Sequence, residues 1–420
     1  MPLGSFKAVR WLMGCALVGL PASGAAAQPA PKPARLDAVY VADLMGPLAG
    51  GLRRDAAYLG NANLAATLRL GPLAGWRGAT AFVYGTGIHG GQPSRLVGDA
   101  QGTSNIEAPA AWKLYEAWLQ QVLLGDRLSL LAGLYDLNTE FDVLRTASLF
   151  LNSSHGMGAD FGQSGRNGPS TFPTTSAGVR LKALPHDDLY VQAAVLDGVP
   201  GDLARPGGTR IRFAEGDGLL VAAEVALLAG LDDALAVPPV SRRRRARHRR
   251  ISRVEDPPYR GKVAFGVWGY TAATSPFSSL PPRRSRGAYL LAEWDVHREA
   301  ADPEQGLAVF ARVGVADARI NRFGAYTGAG LVYTGLLPGR AADRAGLAVA
   351  VAHNGAPFER AQRRAGQPTD AAEMNLEATY LARLTAHLAL QADVQHVVNP
   401  DTNPARADAL VAALRLQLTF

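Results

Sequence analysis

Carboxylates and guanidinium groups recur at every second residue along much of this chain. In YLLAEWDVHRE (289–299), Glu293, Asp295 and His297 alternate with Ala292, Trp294 and Val296. In NLEATYLARL (375–384), Glu377, Thr379 and Arg383 oppose Ala378, Tyr380 and Ala382. AGVRLKAL (177–184) sets Arg180 and Lys182 against Val179 and Leu181. The same parity collects Arg69, Arg312 and Arg415 with Glu116, Glu224 and Asp393. Such groups could serve as acid–base pairs, as metal ligands, or as exchangeable hydrogen-bonding partners. In the last role carboxylates accept from hydroxyls, while guanidinium groups donate in a planar fork.

The spacing does not support the first two roles. There is no H-E-x-x-H, and the single cysteine, Cys15, lies near the N-terminus. The serine of GQSGRNG (162–168) lacks the G-x-S-x-G pattern, and no glycine-rich stretch has the context of a phosphate cradle. No enzyme activity, cofactor or metal is therefore expected. The formal charge of +7 is concentrated in RRRRARHRR (242–250). A local run of this kind reads as a solvated turn, and no nucleic-acid partner is expected.

The elements that must position these residues follow from the period. Alternation of two means half-exposed strands. The chain is 48% hydrophobic, yet only WLMGCALVGL (11–20) is a continuous apolar run, which excludes a bundle of membrane-spanning helices. About sixteen strand-like runs can be laid out. Short connectors such as 125–127, 185–188 and 385–386 alternate with long ones at 89–110, 138–173, 199–217, 271–286 and 355–371. Even strand number, short turns at one end and long loops at the other predict an all-β fold, a closed transmembrane antiparallel barrel. Closure leaves no unpaired edge in lipid.

The N-terminus reads as a secretory signal at 1–27, with Lys7 and Arg10 before the apolar run and AAAQ (25–28) at the cleavage site. A Pro-rich periplasmic leader follows at 28–36, and the barrel domain spans 37–420. The chain ends in ALVAALRLQLTF (409–420), where Arg415, Gln417 and Thr419 alternate with Leu414, Leu416, Leu418 and Phe420. This strand is expected to close against the first and to present Phe420 to lipid at the periplasmic rim. Outer-membrane assembly machinery would then read it.

Several stretches resemble the carbohydrate-selective, OprB-type porins of Gram-negative outer membranes. They include YVADLMGPLAGGLRRDAAYLGNANL (40–64), GDAQGTSNIEAPAAWKLYEAWLQQ (98–121), LSLLAGLYDLNTEFDV (128–143), LFLNSSHGMG (149–158), GLVYTGLLPGRAADRAGLAVA (330–350) and EATYLARLTAHLALQADVQHVVNP (377–400). Their order and joint spacing make the likeness specific. It implies passive diffusion of small sugars through a sixteen-stranded channel in the outer membrane, with outer-membrane lipid and lipopolysaccharide as neighbours. The swollen connector at 231–260 departs from that pattern. A barrel enzyme, for which no nucleophile–base pair stands at convincing spacing, and a plugged structural or adhesion barrel are the alternatives.

The expected lumen face carries Arg69, Arg180, Lys182, Arg312, Arg383 and Arg415 with Glu116, Glu224, Glu293, Asp295, Glu377 and Asp393. Mixed signs suit a neutral, hydroxyl-rich solute better than an ion. Trp118 shares parity with Glu116 and is expected inward, able to stack on a sugar ring. Trp76, Trp268 and Trp294 are expected at membrane interfaces or on the lipid face. Loop 138–173 is too long for an idle hairpin. It is expected to fold inward and narrow the pore, helped by 98–110 and facing basic residues such as Arg69 and Arg180. Arg145, Asn152, His155, Asp160, Asn105 and Glu107 are its candidate solute contacts. A one-residue slip would reverse every face assignment. Arg69→Cys should therefore react with a membrane-impermeant thiol reagent, and Leu68→Cys should be protected.

Overall fold

The period-two runs fold as sixteen antiparallel strands, each hydrogen-bonded to its neighbours in chain order, with the first closing against the last. In this computed structural model residues 32–420 are described, except 203, 206, 231–258, 276–280 and 368. The signal 1–27, Cys15 and the arginine run 242–250 lie outside the described residues. The strands are β1 (Ala34–Ala49), β2 (Ala57–Arg69), β3 (Ala79–Gly90) and β4 (Ala111–Leu123). Next come β5 (Leu128–Tyr135), β6 (Ser176–His186), β7 (Leu189–Asp197) and β8 (Leu219–Ala229). They continue as β9 (Gly261–Thr274), β10 (Arg283–Arg298), β11 (Gly306–Ala316) and β12 (Phe323–Thr334). The last four are β13 (Arg344–Asn354), β14 (Ala372–Arg383), β15 (Leu388–Val398) and β16 (Ala409–Thr419). The first strand starts at Ala34, so the barrel takes in three residues assigned from sequence to the leader.

Outward positions are oily and exposed, as a lipid-facing surface requires: Leu44, Leu64, Val179, Phe265, Leu347 and Leu414 are examples. Inward positions are mostly buried. The long connectors share one end of the barrel, which by the usual asymmetry is extracellular. One contains a nine-residue helix, Ala356–Arg364, where the sequence pattern led us to expect only loop. Its signals are present: Pro357 in the first turn, Glu359 early, and Arg363 and Arg364 in the last turn.

Two irregularities open a notch in the wall around β4 and β5. A bulge at Tyr115 shifts the β3–β4 register, so that Tyr84 faces Glu116 but Gly85 faces Leu114. In addition, β5 pairs with β4 only over residues 117–123 and 128–134 of the two strands. Beyond Tyr135 the chain leaves the wall. The extracellular end of β4 is instead capped by side chains. The Thr175 hydroxyl donates to the Tyr115 carbonyl, and Thr209 Oγ1 donates to the Leu114 carbonyl at 2.7 Å.

The seam closes without an edge. Val39 pairs with Thr419, and Phe420 exchanges both backbone hydrogen bonds with Ala38 (2.9 and 3.3 Å). Phe420 points outward and stacks on His387. Inside the seam, Arg415 forms a bidentate pair with Asp43 (2.6 and 2.7 Å), and Ser104 Oγ donates to the same carboxylate. Asp43 is wholly buried. Asp43→Asn should leave a buried guanidinium without its counter-charge and cost about 3 kcal/mol. Urea unfolding in detergent reads the loss, and Asp43→Asn with Arg415→Gln should recover part of it.

Candidate functional site

A connector of forty residues that enters a barrel carries its backbone polar groups away from bulk water, and each needs a partner. Connector 136–175 finds them on the wall. Glu116 accepts from the Asp136 amide (3.0 Å), and Glu224 from the Asp142 amide (3.1 Å). Glu293 accepts from the amide and hydroxyl of Thr146 (2.8 and 2.9 Å). Glu377 takes the amides of Leu151 and Asn152. Cationic and amide side chains satisfy the carbonyls. Lys262 Nζ donates to Val143 (2.9 Å), Gln391 to Leu149 (2.7 Å), and Arg312 to Asp142, Ser154, His155 and Gly156. The tethers run along the inner wall from β4 round to β15. The expectation that the loop enters the barrel thus has a stereochemical basis.

Apolar packing completes the attachment. Leu137, Phe141, Leu144, Leu149, Phe150 and Phe161 from the loop share one core with Trp118, Leu131, Trp268, Tyr289, Phe310 and Val332 from the wall. Trp268 lies inward, which corrects its assignment to the membrane face. Its ring stacks on Phe161 at 4.6 Å with 6° between planes. Its parity with Lys262 in KVAFGVWGY carried the signal. Trp118 is inward as expected but stacks on Phe82 (4.9 Å) rather than standing free in the lumen. Trp294 and Trp76 are exposed.

The residues read from sequence as the solute path separate into two groups. Glu116, Trp118, Arg180, Glu224, Glu293, Arg312, Glu377 and Asn152 are at most 4% exposed. They lie between wall and loop and present almost no surface to a solute, which corrects that part of the expectation. Arg180, expected on the wall facing the loop, lies directly under it, holding Glu140 by two bonds (2.8 and 3.0 Å) and Ser129 by two more. Lys182 is also buried, its ammonium 4.5 Å above the Tyr190 ring. Arg69, Arg383, Asn105 and Glu107 keep part of their surface to water. So does Arg145, whose guanidinium lies over the Tyr259 ring and 3.6 Å from Glu293.

Sequence parity missed the loop's own charges. Glu140 anchors Arg180, and Asp142 sits 3.0 Å from Arg312. It also missed Glu373, which holds the amides of Ala100 and Gln101 and so docks connector 91–110 (2.7 and 2.9 Å). Glu373 shares the parity of Glu377 and was legible on that ground. No parity rule reaches Glu140 or Asp142, because neither is in a strand.

Comparison with known proteins agrees with this geometry. The model of the carbohydrate-selective porin, OprB family, matches residues 53–420. The chain belongs to that family. Porin B of Pseudomonas aeruginosa is 22% identical over 404 residues, covering 91% of this chain and 86% of the relative. Among solved structures, a high-pH structure of Pseudomonas putida OprB has the same fold with a TM-score of 0.75 at 19% identity, covering 92% of this chain and 94% of that one. The outer-membrane channel DcaP of Acinetobacter baumannii shares the barrel at a TM-score of 0.53 and 8% identity, over 92% and 97% of the two chains. This OprB-family barrel is an outer-membrane porin for sugars, a channel of the Gram-negative outer membrane.

Docking of the loop is expected to weaken as pH rises. Burial, reinforced by Asp142, raises the Asp160 carboxyl to about 7, and burial raises Asp142 to about 6 against the pull of Arg312. Burial and Arg312 together lower His155 to about 3, so it stays neutral 3.9 Å from Glu377. An acid whose folded pKa is raised binds its proton more tightly in the docked loop than in the free chain. Its stabilising effect is complete below about pH 4, declines as pH rises towards about 7, and is gone above that. Asp160→Asn should flatten this slope. Thermal unfolding in detergent at about pH 5 and about pH 8 checks it: the wild type should lose more Tm between the two than the variant does.

Proposed function

We propose that sugars cross between the docked loop and the inner faces of β1, β2 and β3. The observation that carries this reading is the chemistry of the inward positions that retain solvent access there. Val39, Val41, Asn63, Thr67 and Tyr84 are uncharged, and the formal charges on this face, Arg35 and Asp37, lie towards the start of β1, where they pair with each other at 2.6 Å. Tyr84 Oη donates to Asn63 Oδ1 (2.7 Å), and Thr86 Oγ1 reaches Asn61 and Asn63 (2.8 and 2.9 Å). This ladder of amides and hydroxyls can exchange partners with a polyol that has shed water. On the loop side, Arg145 and Ser148 are exposed. Asn105 and Glu107 sit in the extracellular connector, and Arg69 and Arg383 at the opposite strand ends, so the two mouths carry the charge. Weak, multiple contacts let a solute leave as readily as it enters.

In this reading the buried residues act through shape. Glu116, Glu224, Glu293, Glu377, Arg180 and Arg312, with Asn152 beside them, set the position of the loop and hence the width of the passage. The activity is passive transport without catalysis. Residues 1–27 act as the export signal. The strand ending in Phe420 is the segment that outer-membrane assembly machinery reads, which its outward aromatic terminus supports. Lipopolysaccharide is the neighbour in the outer leaflet.

Single-channel conductance and glucose flux in liposomes test the path. Deleting 152–166 should widen the passage and raise conductance. Asn63→Ala should lower glucose flux roughly fivefold, the equivalent of one hydrogen bond of ~1 kcal/mol, with little change in ion conductance. Unchanged conductance in the deletion would show that the loop does not set the passage.

A further inference from the structure

The extracellular end of β4, left unpaired by β5, is tied to the connector between β7 and β8, and this patch has a chemistry that transport does not use. Thr209 Oγ1 holds the connector to the Leu114 carbonyl at the extracellular end of β4. Leu114 and Trp112 of that strand point outward, 40% and 77% exposed. Barrels of this kind carry aromatic girdles near the strand ends, and Trp112 lies exposed at such an end. Immediately after Thr209 comes Arg210-Ile211-Arg212-Phe213, with all four side chains exposed. Arg205, Thr209, Arg210, Ile211 and Arg212 line an open cleft of about 600 Å³. Among the described residues, Asp202 balances one of these cations, lying 3.4 Å from Arg212. Among the described residues, Arg205 and Arg210 have no acidic partner.

We infer that this cleft binds the phosphorylated saccharide head of lipopolysaccharide, with Ile211 and Phe213 set against its acyl chains. The inference rests on the reading of lipopolysaccharide as the outer-leaflet neighbour and supplies the site. Guanidinium forks match phosphate oxygens and are the preferred side chains for them. A soluble anion would account for the arginines but not for Ile211 and Phe213 standing beside them in water. An apolar protein partner would account for the latter and leave the cations uncompensated. A lipid with phosphates at the leaflet surface and chains below it meets both requirements at one height.

The test uses the full-length barrel refolded with lipopolysaccharide and washed in detergent, with retained lipid counted by native mass spectrometry. Arg205→Gln, Arg210→Gln and Arg212→Gln combined should lower retention by roughly tenfold or more and leave glucose flux unchanged. Phe213→Ser should weaken retention less and preserve its salt sensitivity. Heat-modifiable migration confirms that each variant is folded, and Arg210→Gln alone replaces the triple variant should that one fail. Equal retention by wild type and triple variant would overturn the proposal. So would displacement of the lipid by millimolar inorganic phosphate, which would mark a general anion cleft. A changed oligomeric state with lipid retention intact would assign the surface to a second copy of the chain. Because flux is measured on the same samples, loss of lipid with normal flux separates this site from the sugar path.

Discussion

A chain segment inside a barrel cannot leave its amides and carbonyls unpaired, and a charged wall cannot be buried without partners. These two demands satisfy each other here. Four wall glutamates take loop amides, and Arg312 alone takes four loop carbonyls. Either half alone would be unfavourable, since a buried carboxylate without donors and a buried amide without an acceptor each cost free energy. Charge-assisted bonds to backbone groups are among the stronger ones available. They also fix position, because a backbone amide cannot rotate away as a side chain can. Connector 136–175 is thus held as an inner layer of the wall.

The aromatic packing depends on that layer. Tyr289 and Phe310 face inward opposite Gly266 and Gly330 on neighbouring strands, so each ring lies over a position with no side chain. The loop then covers the rings. At Gly346 a Cβ would come within 2.8 Å of the Phe150 ring, so wall and loop approach too closely there for any larger residue. Phe150 and Phe161 could not be buried in a water-filled lumen without such a floor beneath them. The wall therefore has a core, which a polar-in, apolar-out rule for barrels does not anticipate.

That difference shows what could be read from the residues and what could not. Strand number, closure, the order of short and long connectors and the inward parity of Arg180, Glu224 and Glu377 all follow from a period of two. Parity tells which way a side chain points but not what it meets. Arg180 points inward and meets Glu140, a residue forty positions earlier in a segment without period. Trp268 was misplaced because a tryptophan on a membrane strand suggests the girdle. Its neighbours Lys262 and Tyr270 share its face and show otherwise. The helix at 356–364 escapes a reading by period because it is short and strongly charged, so no apolar stripe announces it.

The use of charge for attachment also shapes the passage. Each guanidinium or carboxylate bound to the loop is lost to the solute. Arg180 is saturated by Glu140 and Ser129, and Glu224 by Asp142, Tyr190, Gln192 and Tyr289. What remains at mid-barrel on β1 to β3 is amide, hydroxyl and valine. A lumen whose formal charges of both signs were exposed would hold ions and their counter-ions in place. Taking the same charges beneath a loop leaves a surface where a neutral polyol competes only with water. In the proposed path, selectivity for neutral solutes would arise because the polar groups that hold the loop in place are the ones withdrawn from the solute.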